Sequence, residues 1–270
     1  MKTPQALLAG WIVFGLALPA AAGVTVGVSG ENKEDQALIY IEGNKMRVEG
    51  NKSENRKESL MIYDGDAQKM MIVDPDKKTY SEITPQALHS FSDRMQKQME
   101  EAKAKMTPEQ RKQLDEMMSK MPPEQRQMMG KPADPPPAKP KEQLKWERTG
   151  TTQTVAGYTC EGYREIKDGK VDAEGCYLPW SAGAITKADM APFKKMEQFV
   201  EQSGMKSPDR RLTTFARLEE APGFPVVWKP ADSEGKPKQT VTSIKRGTVA
   251  SDKFQVPAGY TKTDAFGGTK

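Results

Sequence analysis

The stretch from residue 58 to residue 83, "ESLMIYDGDAQKMMIVDPDKKTYSEI", indicates the fold most directly. It predicts three short strands, because Asp64-Gly65 and Asp74-Pro75-Asp76 are residues that tight turns favour. Within "LMIY" and "MMIV" the apolar residues follow one another instead of alternating, so both faces of these strands are apolar. A meander of this kind needs cover on both faces. We expect one face to pack on helices and the other to line a closed core or a cavity.

The regions on both sides of this stretch also predict strands. "TVGVSG" and "ALIYIEGNKMRVEG" precede it, the latter with a turn at Glu42-Gly43-Asn44. Residues 144–180 predict one or two strands and a hairpin, and residues 224–260 predict two strands around Gly235 and an extended ending. Between them, residues 186–204 predict a helix with one apolar face, made of Met190, Phe193, Met196, Phe199 and Val200.

A methionine-rich helical insertion is predicted over residues 85–130. Thr84 supplies a capping hydroxyl and Pro85 occupies the first helical position. The apolar stripe of this first helix is Leu88, Phe91, Met95, Met99 and Ala102. "MTPEQRKQLDEMMSKMPPEQRQMMG", residues 106–130, repeats the same helix-start pattern twice. The proline-rich residues 131–143 predict an extended linker.

The first 22 residues have the pattern of a cleaved secretory signal peptide. One positive charge at Lys2 precedes an apolar run, and Ala20 and Ala22 fit a small-x-small cleavage site. We therefore expect a periplasmic or secreted protein. No cysteine lies near the cleavage point, which argues against an N-terminal lipid anchor. No later segment reaches the length of a transmembrane helix, so we expect no transmembrane anchor in the mature chain.

The two cysteines, Cys160 and Cys176, bracket a predicted hairpin. Asp168-Gly169 favours a tight reversal, and a three-residue loop over residues 167–169 would pair Ile166 with Lys170. Stepping outward from that pair places Cys160 opposite Cys176. In an exported protein such a pair is expected to be oxidised, so we predict a structural disulfide.

Composition argues against several function classes. The chain of 270 residues has a net charge of +4, with basic and acidic residues interleaved, so nucleic-acid binding is not expected. One histidine, His89, and two cysteines cannot build a zinc or iron site, and no phosphate-binding glycine motif is present. We therefore expect a protein that is not an enzyme, with no catalytic residue and no cofactor.

These elements predict an α+β protein with a single domain over residues 23–265. The domain is interrupted by the insertion at residues 85–130 and by the linker at residues 131–143. No second independent core is evident in the sequence. We expect antiparallel strands to supply the sheet and the predicted helices to pack on one side of it.

Several motifs resemble an uncharacterised family of exported bacterial proteins. They are "GNKMRVEG", "LMIYDGDAQKMMIVDPDKKTY", "VAGYTCEGYREIKDGK", "FPVVW" and "FQVPAGY", and they extend from Gly43 to Tyr260 without the helical insertion. That family is similar in layout to the periplasmic lipoprotein carriers. The resemblance implies a curved antiparallel sheet, a half-barrel, with helices against its concave side. It carries over no catalytic residue.

A half-barrel of this kind implies a non-enzymatic carrier, chaperone or sensor that binds a lipid, a lipoprotein acyl chain or another hydrophobic ligand. The same residues would equally form a dry core, because packing and lipid binding need the same residue types. Candidate lining residues are Ile39, Ile41, Met46, Leu60, Ile62, Met71, Val73, Tyr80, Trp146, Trp228 and Phe254.

Two alternatives use the insertion instead. Thioethers are soft ligands for Cu(I) and Ag(I), and the sulfurs that could be brought together are those of Met95, Met99, Met117, Met118 and Met121. Methionine is also common on adaptable binding surfaces, so residues 85–130 could dock an envelope protein as part of a stress response. Helix packing explains the same methionines without a metal.

Overall fold

The computed structural model describes residues 23–32, 34–51, 58–107, 109, 116, 144–202 and 218–266. Several predictions fall on other residues: the signal peptide at 1–22, most of the insertion beyond residue 107, and the proline-rich linker at 131–143. These predictions lie outside the described residues. The division of the chain into one domain with an insertion also stays a prediction.

The described part of the chain forms one large, curved sheet of twelve strands. In chain order the strands are β1 (Val24–Ser29), β2 (Gln36–Glu42), β3 (Lys45–Gly50), β4 (Ser59–Asp64), β5 (Lys69–Asp74), β6 (Thr79–Ile83), β7 (Leu144–Val155), β8 (Tyr158–Lys167), β9 (Lys170–Pro179), β10 (Gly223–Pro230), β11 (Gln239–Arg246) and β12 (Thr261–Thr263). Their order across the sheet is β12-β6-β5-β4-β3-β2-β1-β11-β10-β9-β8-β7. The end strands β12 and β7 are not paired with each other in this order, so the sheet is unclosed.

The stretch at residues 58–83 forms β4, β5 and β6, as predicted. Both turns are closed by an aspartate at the end of the preceding strand. The Asp64 carboxylate accepts the backbone N–H groups of Asp66 and Ala67, and the Asp74 carboxylate accepts that of Lys77. Asp at this position of a turn satisfies backbone donors that the strand has left unpaired. The turn chemistry therefore fixes where each strand ends.

Strand register gives the sheet two different apolar faces. Paired residues of an antiparallel ladder point to the same face, and successive residues of one strand point to opposite faces. Met46 pairs with both Ile41 and Tyr63, so these three side chains share one face. Ile62 pairs with Met71, and these two side chains point to the other face. Ile41, Met46 and Tyr63 belong to the larger buried cluster, whereas Ile62 and Met71 belong to a separate, smaller one.

Two α-helices are described, α1 (Pro85–Ala104) and α2 (Ala191–Gln202). The predicted face of α2 is confirmed: Phe193, Met196 and Phe199 are buried in the larger cluster, on the face that carries Met46 and Tyr63. We call this the helix-covered face. A helical turn at Lys187–Met190 leads into α2, and its Asp189 carboxylate pairs with Arg246 of β11.

Helix α1 begins as predicted but packs over only part of its length. The Thr84 hydroxyl accepts the Ala87 N–H at 3.2 Å, which is the predicted cap. Leu88 is buried, and the Phe91 ring stacks on Phe266 with ring centroids 4.5 Å apart. Further along the predicted stripe, Met95 is 46% exposed and Ala102 is exposed. The periodicity of the stripe therefore predicts the helix, but its second half is not covered by described residues.

The opposite face is covered by the C-terminal segment, residues 251–260, and we call it the tail-covered face. Phe254, Val256 and Tyr260 pack on the cluster formed by Leu60, Ile62, Met71 and Val73. The chain then forms β12, which pairs in parallel with β6. The prediction of a merely extended ending was therefore too simple. Three residues, Thr261–Thr263, were too few to reveal a strand in the sequence pattern.

The hairpin of β8 and β9 forms, but the predicted register is wrong. Lys167 pairs with Lys170, so Asp168 and Gly169 alone form the turn, and both have positive φ, as a tight hairpin turn requires. A bulge between Glu165 and Ile166 then shifts the pairing by one residue. Cys176 is paired with Gly162, so the disulfide from Cys160 to Cys176 runs diagonally, with Cα atoms 5.5 Å apart. The disulfide itself is confirmed.

Candidate functional site

The eleven predicted lining residues do not come together in one place. Five belong to the helix-covered face: Ile39, Ile41, Met46, Trp146 and Trp228. Six belong to the tail-covered face: Leu60, Ile62, Met71, Val73, Tyr80 and Phe254. Strand register separates them, since Met46 pairs with Tyr63 and not with its neighbour Ile62. Whether either face binds a ligand stays a prediction.

Beneath α2, the helix-covered face holds a polar atom without a partner. Tyr63 is fully buried, and its ring meets that of Phe199 edge-on, with centroids 5.9 Å apart. Its hydroxyl has no hydrogen-bond partner among the described residues. Burial, followed by the nearby Asp64 and Asp66 carboxylates, raises the pKa of Tyr63 to about 12. The hydroxyl therefore remains a neutral donor and acceptor inside an apolar layer.

A second polar group lies on the same face, where β7, β8, β9 and β10 run side by side. Glu165 of β8 pairs with Trp146 of β7. The Tyr177 hydroxyl of β9 donates a hydrogen bond to the Glu165 carboxyl group. Trp228 of β10 pairs with Gly175, which in turn pairs with Tyr163 of β8. The Tyr163 and Tyr177 rings meet edge-on with centroids 5.6 Å apart.

Burial dominates the electrostatics of Glu165, which is only 1% exposed. Loss of solvent raises the pKa of its carboxyl group, whereas the Tyr177 hydroxyl and the Trp228 indole act in the opposite direction. Asp172 adds a like charge and raises the pKa further. Burial and the adjacent Glu165 also raise the pKa of Tyr177. Burial therefore favours the neutral form of both groups.

Three buried polar atoms of this group lack hydrogen-bond partners in the part of the chain that the structure describes. They are Glu165 Oε2 and the indole Nε1 atoms of Trp146 and Trp228. The Trp228 indole lies near enough to Glu165, and the Trp146 indole near enough to the Tyr177 hydroxyl, to lower the pKa of each, yet neither N–H reaches hydrogen-bond geometry. Buried polar groups are usually paired, so this combination calls for an explanation.

On the tail-covered face Arg47 Nε is also buried without hydrogen-bond geometry, but it lies against a carboxylate and the neighbouring polar groups contact one another. Arg47 Nε lies 2.6 Å from Glu49 Oε1, and Arg47 Nη1 donates to the Lys253 carbonyl at 2.9 Å. The Lys253 ammonium lies 3.6 Å from Glu49 and 4.9 Å from the centre of the Tyr40 ring. These contacts attach the C-terminal segment to β2 and β3. We call these contacts, which hold the C-terminal segment against the sheet, a structural clasp.

Sequence reasoning identified Trp146 and Trp228 but missed Tyr63, Glu165 and Tyr177. One signal was available for Glu165. It alternates with Tyr163 in "GYREIK", so a strand that buries Tyr163 also turns Glu165 inward. Whether Glu165 Oε2 finds a hydrogen-bond partner depends on side chains from three other strands, and no local sequence pattern contains that information.

Only part of the predicted methionine metal site lies among the described residues. Met95 lies exposed on α1, whereas Met117, Met118, Met121 and the Met99 side chain lie outside the described residues. Among the residues described, no three His, Cys, Asp or Glu side chains cluster closely enough to hold a metal ion. The methionine site stays a prediction.

Among the helices in the described part of the chain, none combines the length and the apolar character needed to cross a bilayer.

Comparison with known proteins identifies a family and shows a distant likeness to a solved structure. The sequence matches the domain of unknown function DUF4412 over residues 87–260, which is more than half of the chain. No curated protein matches it. Among solved structures it is similar to an uncharacterized conserved protein from Thermus thermophilus, with 10% identity over 90% of this chain and 91% of that one and a TM-score of 0.43. The family match begins in α1 and runs through every strand from β7 to β11. The chain belongs to the DUF4412 family.

Proposed function

We propose that this protein is exported and, without being an enzyme, binds a hydrophobic ligand on the helix-covered face. In this proposal the curved sheet is a half-barrel, and the ligand is a lipid or a lipoprotein acyl chain. The predicted signal peptide and the Cys160–Cys176 disulfide both favour an oxidising compartment such as the periplasm. The role is that of a carrier, chaperone or sensor.

The observation that carries the proposal is the set of unpaired polar atoms on this face. Tyr63 Oη, Trp146 Nε1, Glu165 Oε2 and Trp228 Nε1 are all buried without partners among the described residues. An unpaired buried polar group lowers the stability of the folded protein by roughly 1–3 kcal/mol. Four such groups on one face therefore destabilise a core that binds nothing. A ligand with an apolar body and a polar end would pair some of them and cover the rest.

In this proposal α2 is the element that a ligand displaces. It is a short helix that covers the sheet through Phe193, Met196 and Phe199. Among the described residues its ion pairs include Lys195 Nζ to Asp66 Oδ1 at 3.1 Å and Lys194 Nζ to Glu219 Oε2 at 3.2 Å, and all four side chains are substantially exposed. An exposed pair of this kind contributes little to stability. Movement of α2 would expose Tyr63 and the neighbouring apolar strands.

A staple between α2 and the sheet tests the proposal. A Cβ atom on Gly65 would lie 3.1 Å from Lys195 Cβ and 2.8 Å from the Asn44 carbonyl oxygen, so Gly65→Cys with Lys195→Cys can form a disulfide once the β4–β5 turn has shifted away from both. The matched control is Gly65→Ser with Lys195→Ser, which carries the same Cβ atoms without the bond. The probe is N-phenylnaphthylamine, an uncharged fluorophore that brightens in apolar sites.

We expect wild type and the serine control to bind the probe alike. The oxidised staple should bind it roughly tenfold more weakly or worse, because α2 can no longer leave the sheet. Reduction should restore binding, with reduced wild type as the reference because reduction also opens Cys160–Cys176. A wild-type protein that does not bind the probe, or a staple that leaves binding unchanged, would contradict the proposal.

A second candidate function uses the methionine-rich insertion, and one observation favours it. Beyond Phe91, the α1 stripe is exposed at Met95 and Ala102, so it is free to contact a soft metal ion or an envelope partner. Titration with Ag(I) decides between a metal and the other uses. We expect Met95→Leu with Met99→Leu to weaken silver binding if the insertion is a metal site. Unchanged binding in this variant would remove the metal from consideration.

A further inference from the structure

We call Glu165, Tyr177, Trp146 and Trp228 the Glu165 group. It lies at a defined position on the helix-covered face. It belongs to the four strands at the β7 end of the sheet, whereas α2 covers β4 and its neighbours through Tyr63. If the proposed function holds, a hydrophobic ligand along this face would run from the apolar region under α2 toward Glu165. The ligand's polar end would then lie beside the Glu165 group.

The hydrogen-bonding atoms around Glu165 determine which polar group of a ligand can bind there. The Tyr177 hydroxyl donates to Oε1 of Glu165, which leaves Oε2 without a partner. The Trp146 and Trp228 indoles can only donate. Trp146 lies on β7 beside Glu165, Trp228 lies two strands away on β10, and both Nε1 atoms are buried without a hydrogen-bond partner among the described residues. The Trp228 indole lies close to the Glu165 carboxyl group and the Trp146 indole lies close to the Tyr177 hydroxyl, so two N–H donors and Glu165 Oε2 surround the Glu165–Tyr177 pair.

The charge around this region disfavours ions. The charged residue that acts on Glu165 is Asp172, a carboxylate of the same sign, so an anionic ligand would meet repulsion there. A cation would need Glu165 to ionise while it is 1% exposed, which is costly. Burial raises the pKa of the carboxyl group, and in its protonated form this group adds a third donor. The two indole N–H groups and the protonated carboxyl group together match an uncharged oxygen with free lone pairs.

We propose that Glu165, Trp146 and Trp228 form a polar anchor for an uncharged carbonyl group, such as the ester or amide that joins an acyl chain to its head group. The carbonyl oxygen accepts from the two indole N–H groups and from the Glu165 carboxyl group. Tyr177 positions that carboxyl group through its hydrogen bond to Oε1. The hydrocarbon chain then extends over the apolar strands toward Tyr63.

Two uncharged probes of similar size test the anchor. Pyrenebutanoic acid methyl ester carries an ester carbonyl, and pentylpyrene has the same fluorophore without it. Free pyrenebutanoate, an anion, is the third probe. We expect wild type to bind the ester roughly tenfold more tightly than the hydrocarbon, because the ester carbonyl can accept hydrogen bonds from the anchor and the hydrocarbon cannot. The anion should bind more weakly than the ester.

Matched variants separate the anchor from the rest of the site. Trp146→Phe with Trp228→Phe removes both indole N–H groups and keeps aromatic rings. This variant should lose the preference for the ester while binding pentylpyrene as wild type does. Glu165→Gln keeps a neutral side chain with an oxygen and an N–H donor, so it should retain the preference. Circular dichroism confirms that each variant is folded.

The possible results point in different directions. If wild type binds both uncharged probes equally, or if the double phenylalanine variant weakens both alike, the anchor is wrong and the hydrophobic site remains. A buried water bridging these groups would give that same result. If wild type binds neither uncharged probe, the proposed function fails and the anchor falls with it. Loss of the ester preference in Glu165→Gln would also overturn the assignment of Glu165 as a neutral donor.

Discussion

On the helix-covered face, α2 lays Phe193, Met196 and Phe199 on the sheet, and four buried polar atoms of the strands lack partners among the described residues. On the tail-covered face, the C-terminal segment lays Phe254, Val256 and Tyr260 on the sheet. There the charged groups of Arg47, Glu49 and Lys253 contact one another. Strands β4 and β5 supply both faces, because their apolar residues do not alternate with polar ones.

This difference separates a cover that belongs to the core from one that can be exchanged. The tail is joined to the sheet by an added strand, β12 on β6, and by the Arg47 hydrogen bond to a Lys253 carbonyl. Helix α2 is attached through apolar side chains that pack on the sheet and through the exposed ion pairs Lys195–Asp66 and Lys194–Glu219, and the helical turn before it is joined to β11 by Asp189 and Arg246. Apolar contacts are non-directional, so a ligand's hydrocarbon can replace those of α2. It cannot replace a strand pairing.

The largest expected effect comes from removing the central ring under each cover. Phe199→Ala deletes a ring that is 1% exposed and should lower the free energy of unfolding by about 3–5 kcal/mol. Phe254→Ala should cost about half as much, because Phe254 is only partly buried. Urea denaturation followed by tryptophan fluorescence measures both. Equal losses would show that the two covers contribute alike and would remove the distinction between them.

The disulfide should have the next largest effect. Cys160→Ser with Cys176→Ser opens a loop with a sequence separation of 16, and about 3 kcal/mol of stability is expected to be lost in the chain-entropy description. Both cysteines are almost fully buried, so unpaired hydroxyls would add to the cost. The β8–β9 hairpin carries both the disulfide and Glu165, so probe binding should weaken in parallel. A variant as stable as wild type would show that the hairpin needs no cross-link.

The buried carboxyl group gives a smaller effect that depends on pH. The folded-state pKa of Glu165 is raised above its ordinary value of 4.5, so its favourable contribution is present below that value and is lost as pH rises through the folded-state pKa. Glu165→Gln removes this loss. We expect the variant to be more stable than wild type at about pH 8, by on the order of 1–2 kcal/mol, and similar to it at about pH 4.

Urea titrations of both proteins across this pH range provide the measurement. The exposed carboxylates whose pKa is lowered by lysine partners, Glu31, Asp66 and Glu82, lose their contribution as pH falls. They are present in both proteins and cancel in the difference. A difference in stability that does not change with pH would mean that Glu165 does not titrate in a buried site.

The sequence predicted most of the strands and α2, because turn residues and apolar spacing are local signals. The stretch at residues 58–83 predicted three strands and both turns, and the apolar face of α2 was predicted residue by residue. It also predicted that both faces of the sheet would need cover. The division of the lining residues between the faces was not predicted, because it depends on which residue of β3 pairs with Tyr63.

The parts that sequence reasoning missed depend on contacts between distant elements. The bulge at Glu165–Ile166 shifted the hairpin register by one residue, and only the packing of neighbouring strands selects it. β12 exists because Thr261–Thr263 meets β6, about 180 residues earlier in the chain. Glu165 is the clearest case. In the sequence, a charged residue at an inward position of a strand only breaks the apolar pattern. The packing of four strands is needed to show that Glu165 is buried, with Oε1 hydrogen-bonded and Oε2 without a partner among the described residues.

The smallest expected effect tests how α2 is held. Lys195→Met removes the ion pair with Asp66 and keeps the length of the side chain, so it should cost less than about 1 kcal/mol. The effect should vanish in high salt, since both partners are substantially exposed and salt screens such pairs. Arg47→Met, the matched change on the tail-covered face, should cost more and respond less to salt, because Arg47 is largely buried and also donates to the Lys253 carbonyl. Urea denaturation at low and high ionic strength measures both. A costly Lys195→Met would mean that a polar clasp also fixes α2, and a ligand could then displace the helix only by breaking that clasp.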